Sequence, residues 1–151
     1  MVKPIPDGYN SVTPYLIMHD AAAAIEFYKK AFDAKELFRM PMGPRIGHAE
    51  ILIGNSRIML ADEFPEREIR SSKHFGGSPV SMMLYVEDVD ASAERAVAAG
   101  ATILRPVENQ FYGDRNGTFV DPFGYQWTIG THVEDVSPAE MTRRMAQGAA
   151  G

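Results

Sequence analysis

A chain of 151 residues and 16.7 kDa is long enough to bury most of its unfolded surface in one domain without disulfides or a structural zinc. Its 45% hydrophobic and 23% charged residues match an average soluble globular protein, which excludes a disordered or membrane-embedded composition. A net charge of −5 with fifteen scattered lysines and arginines argues against a nucleic-acid partner, and the lack of cysteine excludes disulfides and thiolate chemistry and fits a reducing, cytoplasmic compartment.

The opening MVKPIPDGYN has no apolar stretch behind its lysine, and no apolar run approaches the ~20 residues of a membrane-spanning helix, so neither a secretory signal nor a membrane partner is expected. Ser11 to Met18, rich in β-branched and aromatic residues, predicts a strand. Asp20 to Ala31 follows with apolar residues at helical spacing and Asp20 as N-cap. Glu36 to Met40, His48 to Ile53 and Arg57 to Ala61 predict three more strands, the last two joined by a tight turn at Gly54-Asn55. Residues 63–78 mix charges with Pro65, Gly76 and Gly77 and read as a surface linker or lid.

The second half repeats the order. Val80 to Val86 is a strand and Asp88 to Ala99 a helix stopped by Gly100; Thr102 to Leu104, Gln110 to Asp114, and Thr118 to Val120 leading into Gly124 to Ile129 are strands. DAAAAIEFYKKAFDAKELFR and DVDASAERAVAAGATILR both run from an aspartate cap through an alanine-rich helix into an apolar strand, at an offset of 67 to 69 residues. An internal repeat fixes architecture, so the chain reads as one α+β domain over 1–151 made of two βαβββ modules, about 8–62 and 79–132. Ser137-Pro138-Ala139-Glu140 is a capping box with proline at the first helical position, predicting an outer helix over about 138–146.

TFVDPFGYQWTI, taken with a first strand that ends in an aspartate-capped helix, resembles the vicinal oxygen chelate superfamily of glyoxalases, bleomycin-resistance proteins and extradiol dioxygenases. The likeness spans about Gly8 to His132 and is strongest at Asp121-Pro122-Phe123-Gly124; YGDR (Tyr112 to Arg115), DPFG and the tail THVEDVSPAEM narrow it to the PhnB-like, glyoxalase-like subgroup. The resemblance implies a curved mixed sheet around a cavity, helices outside, and a homodimer. In metal-using members four cavity side chains hold the metal, and these positions map to Thr13 and Ser81, each seven before a helix-capping aspartate, Met59, and Thr128, seven after Asp121. The repeat pairs Thr13 with Ser81 and Met59 with Thr128 at offsets of 68 and 69. Neutral hydroxyls and a thioether are poor ligands for zinc, nickel, manganese or iron(II), so the resemblance implies a chain without the inherited metal site and with no cofactor.

Alternation along the strands extends the cavity set to Tyr15, Ile17, Arg57, Met83, Tyr85 and Gln126, and turns Leu16, Met18, Met82, Leu84, Val86, Trp127 and Ile129 toward the helices. Hydroxyl, amide, aromatic and guanidinium groups together suit a small organic molecule. His48 and Glu50 lie two apart on one strand face, where they fit a base with its orienting partner, two metal ligands, or a solvated pair at the sheet edge. Tyr112, Asp114 and Arg115 fit either an anion-holding cavity mouth or a tight Gly113 turn fixed by Asp114 and Arg115. His19 and His132 read as surface or capping residues, and Lys73 and His74 as linker residues. Three functions stay open: a binding protein that sequesters a drug or metabolite; a metal-independent lyase, isomerase or hydrolase with His48 or Glu50 as base and Tyr112 or Arg115 steadying an anion; and a metalloenzyme whose site has moved to His48 and Glu50.

Overall fold

The sequence repeat is a structural one. In the computed structural model, which describes residues 1–149, the first half runs β1 (Tyr15–Met18), α1 (Ala21–Phe32), β2 (Lys35–Met42), β3 (Arg45–Ile53) and β4 (Ser56–Asp62). The second runs β5 (Ser81–Tyr85), α2 (Val89–Ala99), β6 (Thr102–Asn109), β7 (Asp114–Val120) and β8 (Gln126–His132), followed by α3 (Pro138–Ala149). Each half closes a four-stranded mixed sheet, ordered β1-β4-β3-β2 and β5-β8-β7-β6, with one parallel pair, β1 with β4 and β5 with β8. The fold is α+β, built from two βαβββ modules. The helix starts follow local chemistry: the Asp20 and Asp88 carboxylates accept from the backbone N–H groups of Ala23 and Ala91 at 3.0 and 3.1 Å.

Three expected elements change their bounds. Gln110 to Asp114 is a turn and not a strand: the Gln110 N–H donates to the Asp114 carbonyl at 2.7 Å and the Gly113 N–H to the Gln110 carbonyl at 3.2 Å, so β6 extends to Asn109 and β7 begins at Asp114. The first strand shortens to Tyr15–Met18 because its parallel ladder with β4 starts at the Tyr15↔Met59 pair. Helix α3 carries on to Ala149, three residues past the expected end at Ala146.

What the sequence does not carry is the packing of one module on the other. Helices α1 and α2 pack together, and the aromatic residues of α1 reach into the second module: Tyr28 and Phe32 lie 5.5 and 4.7 Å from the Trp127 ring, and Phe27 lies 6.1 Å from Phe123. A single core therefore joins Leu16, Met18, Ile51 and Leu60 of one sheet to Phe119, Trp127 and Ile129 of the other. The helix-bearing faces of both sheets turn inward onto a shared layer, and the opposite faces, with Tyr15 and Tyr85 on them, turn outward.

One carboxylate pins this arrangement. Asp121 is 4% exposed and accepts from the Phe123 and Tyr125 backbone N–H groups, the Trp127 indole N–H and the Tyr28 hydroxyl of α1. Burial and then the Asp121 charge push the Tyr28 phenol well above its usual range, so it stays a neutral donor. Tyr125 stitches the free edge of β1, its hydroxyl donating to the Ile17 carbonyl at 2.8 Å and accepting from the Ile17 N–H at 3.1 Å. Residues 63–78 are fastened to the same turn, with Ser71 and Ser72 buried and the Ser72 hydroxyl donating to the Phe123 carbonyl at 2.6 Å. Gly124 is needed there: its φ is +89° and a Cβ would stand 2.7 Å from Ser72 Oγ.

Candidate functional site

The outward face of the first sheet gathers the polar residues that the sequence left scattered. Strand register sets Tyr15 beside Met59, Met59 beside Glu50 and Glu50 beside Phe38, with His48 beside Met40 in the adjoining row. The Tyr15 hydroxyl lies 2.7 Å from His48 Nδ1, and His48 Nε2 lies 3.3 Å from Glu50 Oε2. In the tautomer that carries its proton on Nε2, Nδ1 accepts from the phenol, while the Glu50 carboxylate stands close to Nε2 without an aligned hydrogen bond, giving a cluster of Tyr15, His48 and Glu50. The His48 ring is also flanked by Tyr15 at 5.5 Å and Phe38 at 6.2 Å between centroids. Burial raises the Tyr15 phenol above its usual value although the residue as a whole is 47% exposed.

Around this cluster the face is apolar and open, with Phe38, Met40 and Met42 all exposed and Ile17, Phe64 and Ile69 bounding a hollow of about 470 Å³ at one end. Thr13 and Arg57 stand at the opposite end, where the N-terminal segment crosses the β3–β4 hairpin.

The outward face of the second sheet carries Ser81, Met83, Tyr85, Gln126 and Thr128, and Thr128 is engaged with Thr118 at 3.2 Å between hydroxyls. Tyr112 joins this face through its hydroxyl, which accepts from the Asn116 amide at 2.7 Å. Arg115 does not: one residue on from Asp114, it points to the helix side and pairs bidentately with Asp90 of α2 at 2.9 and 3.0 Å. Its partners are Asp90 and Asn109, so it neither joins Tyr112 nor braces Asp114.

The sequence reading missed a polar group on this second face. Asp114 is 5% exposed and takes the Tyr85 hydroxyl at 2.8 Å on one oxygen and His132 Nδ1 at 2.8 Å on the other, while His132 Nε2 meets Asp135 at 2.8 Å. The signal was the Asp114↔His132 cross-strand pair, legible only once the β7–β8 register is known. Hydrogen bonding to Asp114 first, then to Asp135, raises the His132 imidazole above its usual value. A raised histidine contributes stability that is present in full below its unfolded value of about 6.5 and is lost as pH rises through its folded value. Replacing Asp114 by asparagine is expected to bring the His132 titration, followed by imidazole NMR shifts, back toward the ordinary range; an unchanged titration would refute the pairing.

Of the four positions to which the resemblance assigns the metal ligands, Thr13 lies two residues before β1 and Met59 in β4 of the first sheet, while Ser81 and Thr128 lie in β5 and β8 of the second. Their donor set, hydroxyls and a thioether with Thr128 already engaged by Thr118, does not fit a divalent metal. Among the described residues no three His, Asp or Glu side chains are grouped so as to hold one.

Comparison with known proteins agrees with this architecture. Residues 9–129 match the family model of the Glyoxalase/Bleomycin resistance protein/Dioxygenase superfamily. The uncharacterised Mycobacterium bovis protein Mb0911c is 42% identical over 141 residues, covering 90% of this chain and 92% of its own. Among solved structures, TioX from a Micromonospora species superposes with a TM-score of 0.65 at 23% identity, covering 85% of this chain and 100% of its own. A Bacillus cereus PhnB protein, described as a putative 3-demethylubiquinone-9 3-methyltransferase, superposes at 0.63 and 17%, covering 81% and 99%. At those identities the two structures speak for the fold alone. With its paired βαβββ modules and a family match over most of its length, the chain belongs to the glyoxalase, bleomycin-resistance and dioxygenase superfamily.

Proposed function

We propose that this protein is a metal-independent small-molecule binding protein of the cytoplasm that holds a drug or metabolite against the outward face of its first sheet. The observation that carries this reading is the Tyr15–His48 hydrogen bond with Glu50 3.3 Å from the imidazole, set among exposed Phe38, Met40 and Met42. A largely apolar surface with a few convergent polar groups is what an organic ligand requires: the apolar part supplies affinity and the phenol and imidazole fix orientation. The superfamily's own name includes bleomycin-resistance proteins beside its glyoxalases and dioxygenases.

Closure of that face calls for a second copy. Both outward faces expose large apolar side chains, including Tyr15, Phe38 and Met40 on one and Met83 and Tyr85 on the other. A homodimer that lays the second-module face of one copy over the first-module face of the other brings Ser81, Gln126 and Thr128 opposite Tyr15, Met59 and His48.

The same cluster favours a second reading, metal-free catalysis by a lyase, isomerase or hydrolase. His48, hydrogen-bonded to Tyr15 and with the Glu50 carboxylate 3.3 Å away, takes a proton from substrate or from the Tyr15 phenol, and general-base assistance of this kind contributes about 10²–10⁴-fold in rate.

The test is a thermal-shift screen of small aromatic and polar organic molecules on the full chain, repeated on Tyr15→Phe and His48→Ala. A ligand at about a hundred times its Kd stabilises by ~2.7 kcal/mol, a shift of roughly 5–10 °C in a chain of this size. That shift is expected to shrink in both variants. A ligand whose stabilisation survives both substitutions binds elsewhere and removes this face from consideration. If a ligand that the screen finds is turned over, His48→Ala separates the two readings by abolishing turnover while the protein stays folded.

A further inference from the structure

A different cavity opens at the seam between the modules. It has a volume of about 180 Å³ and lies between the lead-in to β1, the β3–β4 hairpin and the β5 strand. Its apolar wall is Ile53, Ile58, Met82, Leu84 and Trp127, and its one charged lining side chain is Arg57. Both modules contribute to the wall, and none of the Tyr15, His48 and Glu50 groups does.

Arg57 is held in an unusual way. Its guanidinium lies over the Tyr9 ring at 4.9 Å from the centroid and packs against the backbone of Gly8, where a Cβ would stand 2.4 Å from Arg57 Nη2. Gly8 has φ +83°, so glycine serves there both the left-handed backbone and the close approach of the guanidinium. Among the described residues Arg57 forms no ion pair, like Arg67, Arg70, Arg95 and Arg105 and unlike Arg39, Arg45, Arg115, Arg143 and Arg144. The Tyr9 hydroxyl, on the ring that carries the guanidinium, is buried with no hydrogen-bond partner. A planar fork of donors, positioned from behind by an aromatic ring and a glycine, is thus left facing a cavity whose far wall is apolar.

We infer that this seam is a binding site for a small organic monocarboxylate, with Arg57 taking the carboxylate and Trp127, Met82, Leu84 and Ile58 taking an aromatic or branched aliphatic body. Size and chemistry both select this class. A cavity of about 150 Å³ accepts a benzene ring, so 180 Å³ suits one ring or a branched chain with its carboxylate at the arginine. A carboxylate matches the guanidinium fork in a bidentate geometry that an amide cannot reproduce. Inorganic phosphate would satisfy the fork and leave the apolar wall uncovered. The site shares Thr13 and Arg57 with the far end of the first-sheet face but none of the Tyr15, His48 and Glu50 groups, and it does not depend on the function proposed for them.

The chain has one tryptophan, and it lines this cavity, so its emission reports the site directly. The experiment titrates the full chain with benzoate and with 3-methylbutanoate while Trp127 fluorescence is followed, and uses benzamide and inorganic phosphate as controls. Saturable changes are expected with both carboxylates, with benzamide weaker by about tenfold or more and phosphate weaker still. Arg57→Met is expected to remove the carboxylate response, and Arg57→Lys, which keeps the charge without the fork, to weaken it by about tenfold. Far-UV circular dichroism of both variants verifies the fold. Three results would each overturn the inference: no saturable change with either carboxylate, equal responses to benzoate and benzamide, or a benzoate response that survives in folded Arg57→Met. Phosphate binding as tightly as benzoate would also overturn it, since that describes a bare anion site.

Discussion

Replacing Asp121 by alanine is expected to lower folding stability by about 3–5 kcal/mol, because four buried neutral donors lose a charged acceptor together. The substitution strips two backbone N–H groups, the Trp127 indole and the Tyr28 hydroxyl of their acceptor in a single step, and all four lie in the buried layer that joins the modules. Each donor left without a partner carries a desolvation cost of about 1–3 kcal/mol, and hydrogen bonds to a charged acceptor are worth more than neutral ones. Asp121→Asn retains one acceptor and should fall between alanine and the native protein. Urea unfolding followed by Trp127 emission measures both. A loss under about 1 kcal/mol for the alanine variant would mean that water or a rearranged turn satisfies the donors, and that this carboxylate does not pin the two modules.

Placing aspartates at both Phe38 and Met40 is expected to halve the mass of the particle in solution, from two copies of the 16.7 kDa chain to one. Both side chains are exposed on the single chain, at 48% and 44%, so charge there costs the isolated fold little. In the proposed dimer the same charges enter a covered apolar interface, where an unpaired charge costs several kcal/mol. Light scattering coupled to size exclusion reads the mass, and unfolding midpoints should be nearly unchanged when compared at the same monomeric state. A native chain that runs as a monomer at micromolar concentration would remove the covering copy. The Tyr15 face would then have to bind its ligand open to solvent.

The sequence reported the site unevenly, for reasons that can be traced to particular residues. Alternation placed Leu16, Met18, Trp127 and Ile129 on the buried side, and the structure has all four buried, because a strand's side-chain period of two is a property of the backbone. His48 and Glu50 were legible as a pair on one face by the same rule. Their link to Tyr15 was not, since it depends on β1 pairing with β4 in parallel and β4 with β3 in antiparallel register, across 33 residues of sequence. Arg115 shows the opposite failure: with a turn in place of the expected strand at Gln110 to Asp114, the phase of β7 could not be carried over from the sequence, and the arginine lies on the Asp90 side.

The sequence by itself determined the local structure: two capped helices, the tight turns and the duplicated βαβββ order, all of which rest on interactions within a few residues or on a fixed side-chain period. It also determined the chemistry available at Thr13, Met59, Ser81 and Thr128, since side-chain identity alone decides what a group can ligate. Only the tertiary structure decided that the helix-bearing faces meet in one layer, that Met59 sits in one sheet and Ser81 and Thr128 in the other, and that Arg57 lines a cavity at the seam. Those outcomes depend on how aromatic side chains of α1 fill the space beside Trp127 and on one buried carboxylate that accepts from both modules. Such packing contacts join residues 93 and more positions apart, and no local pattern records them.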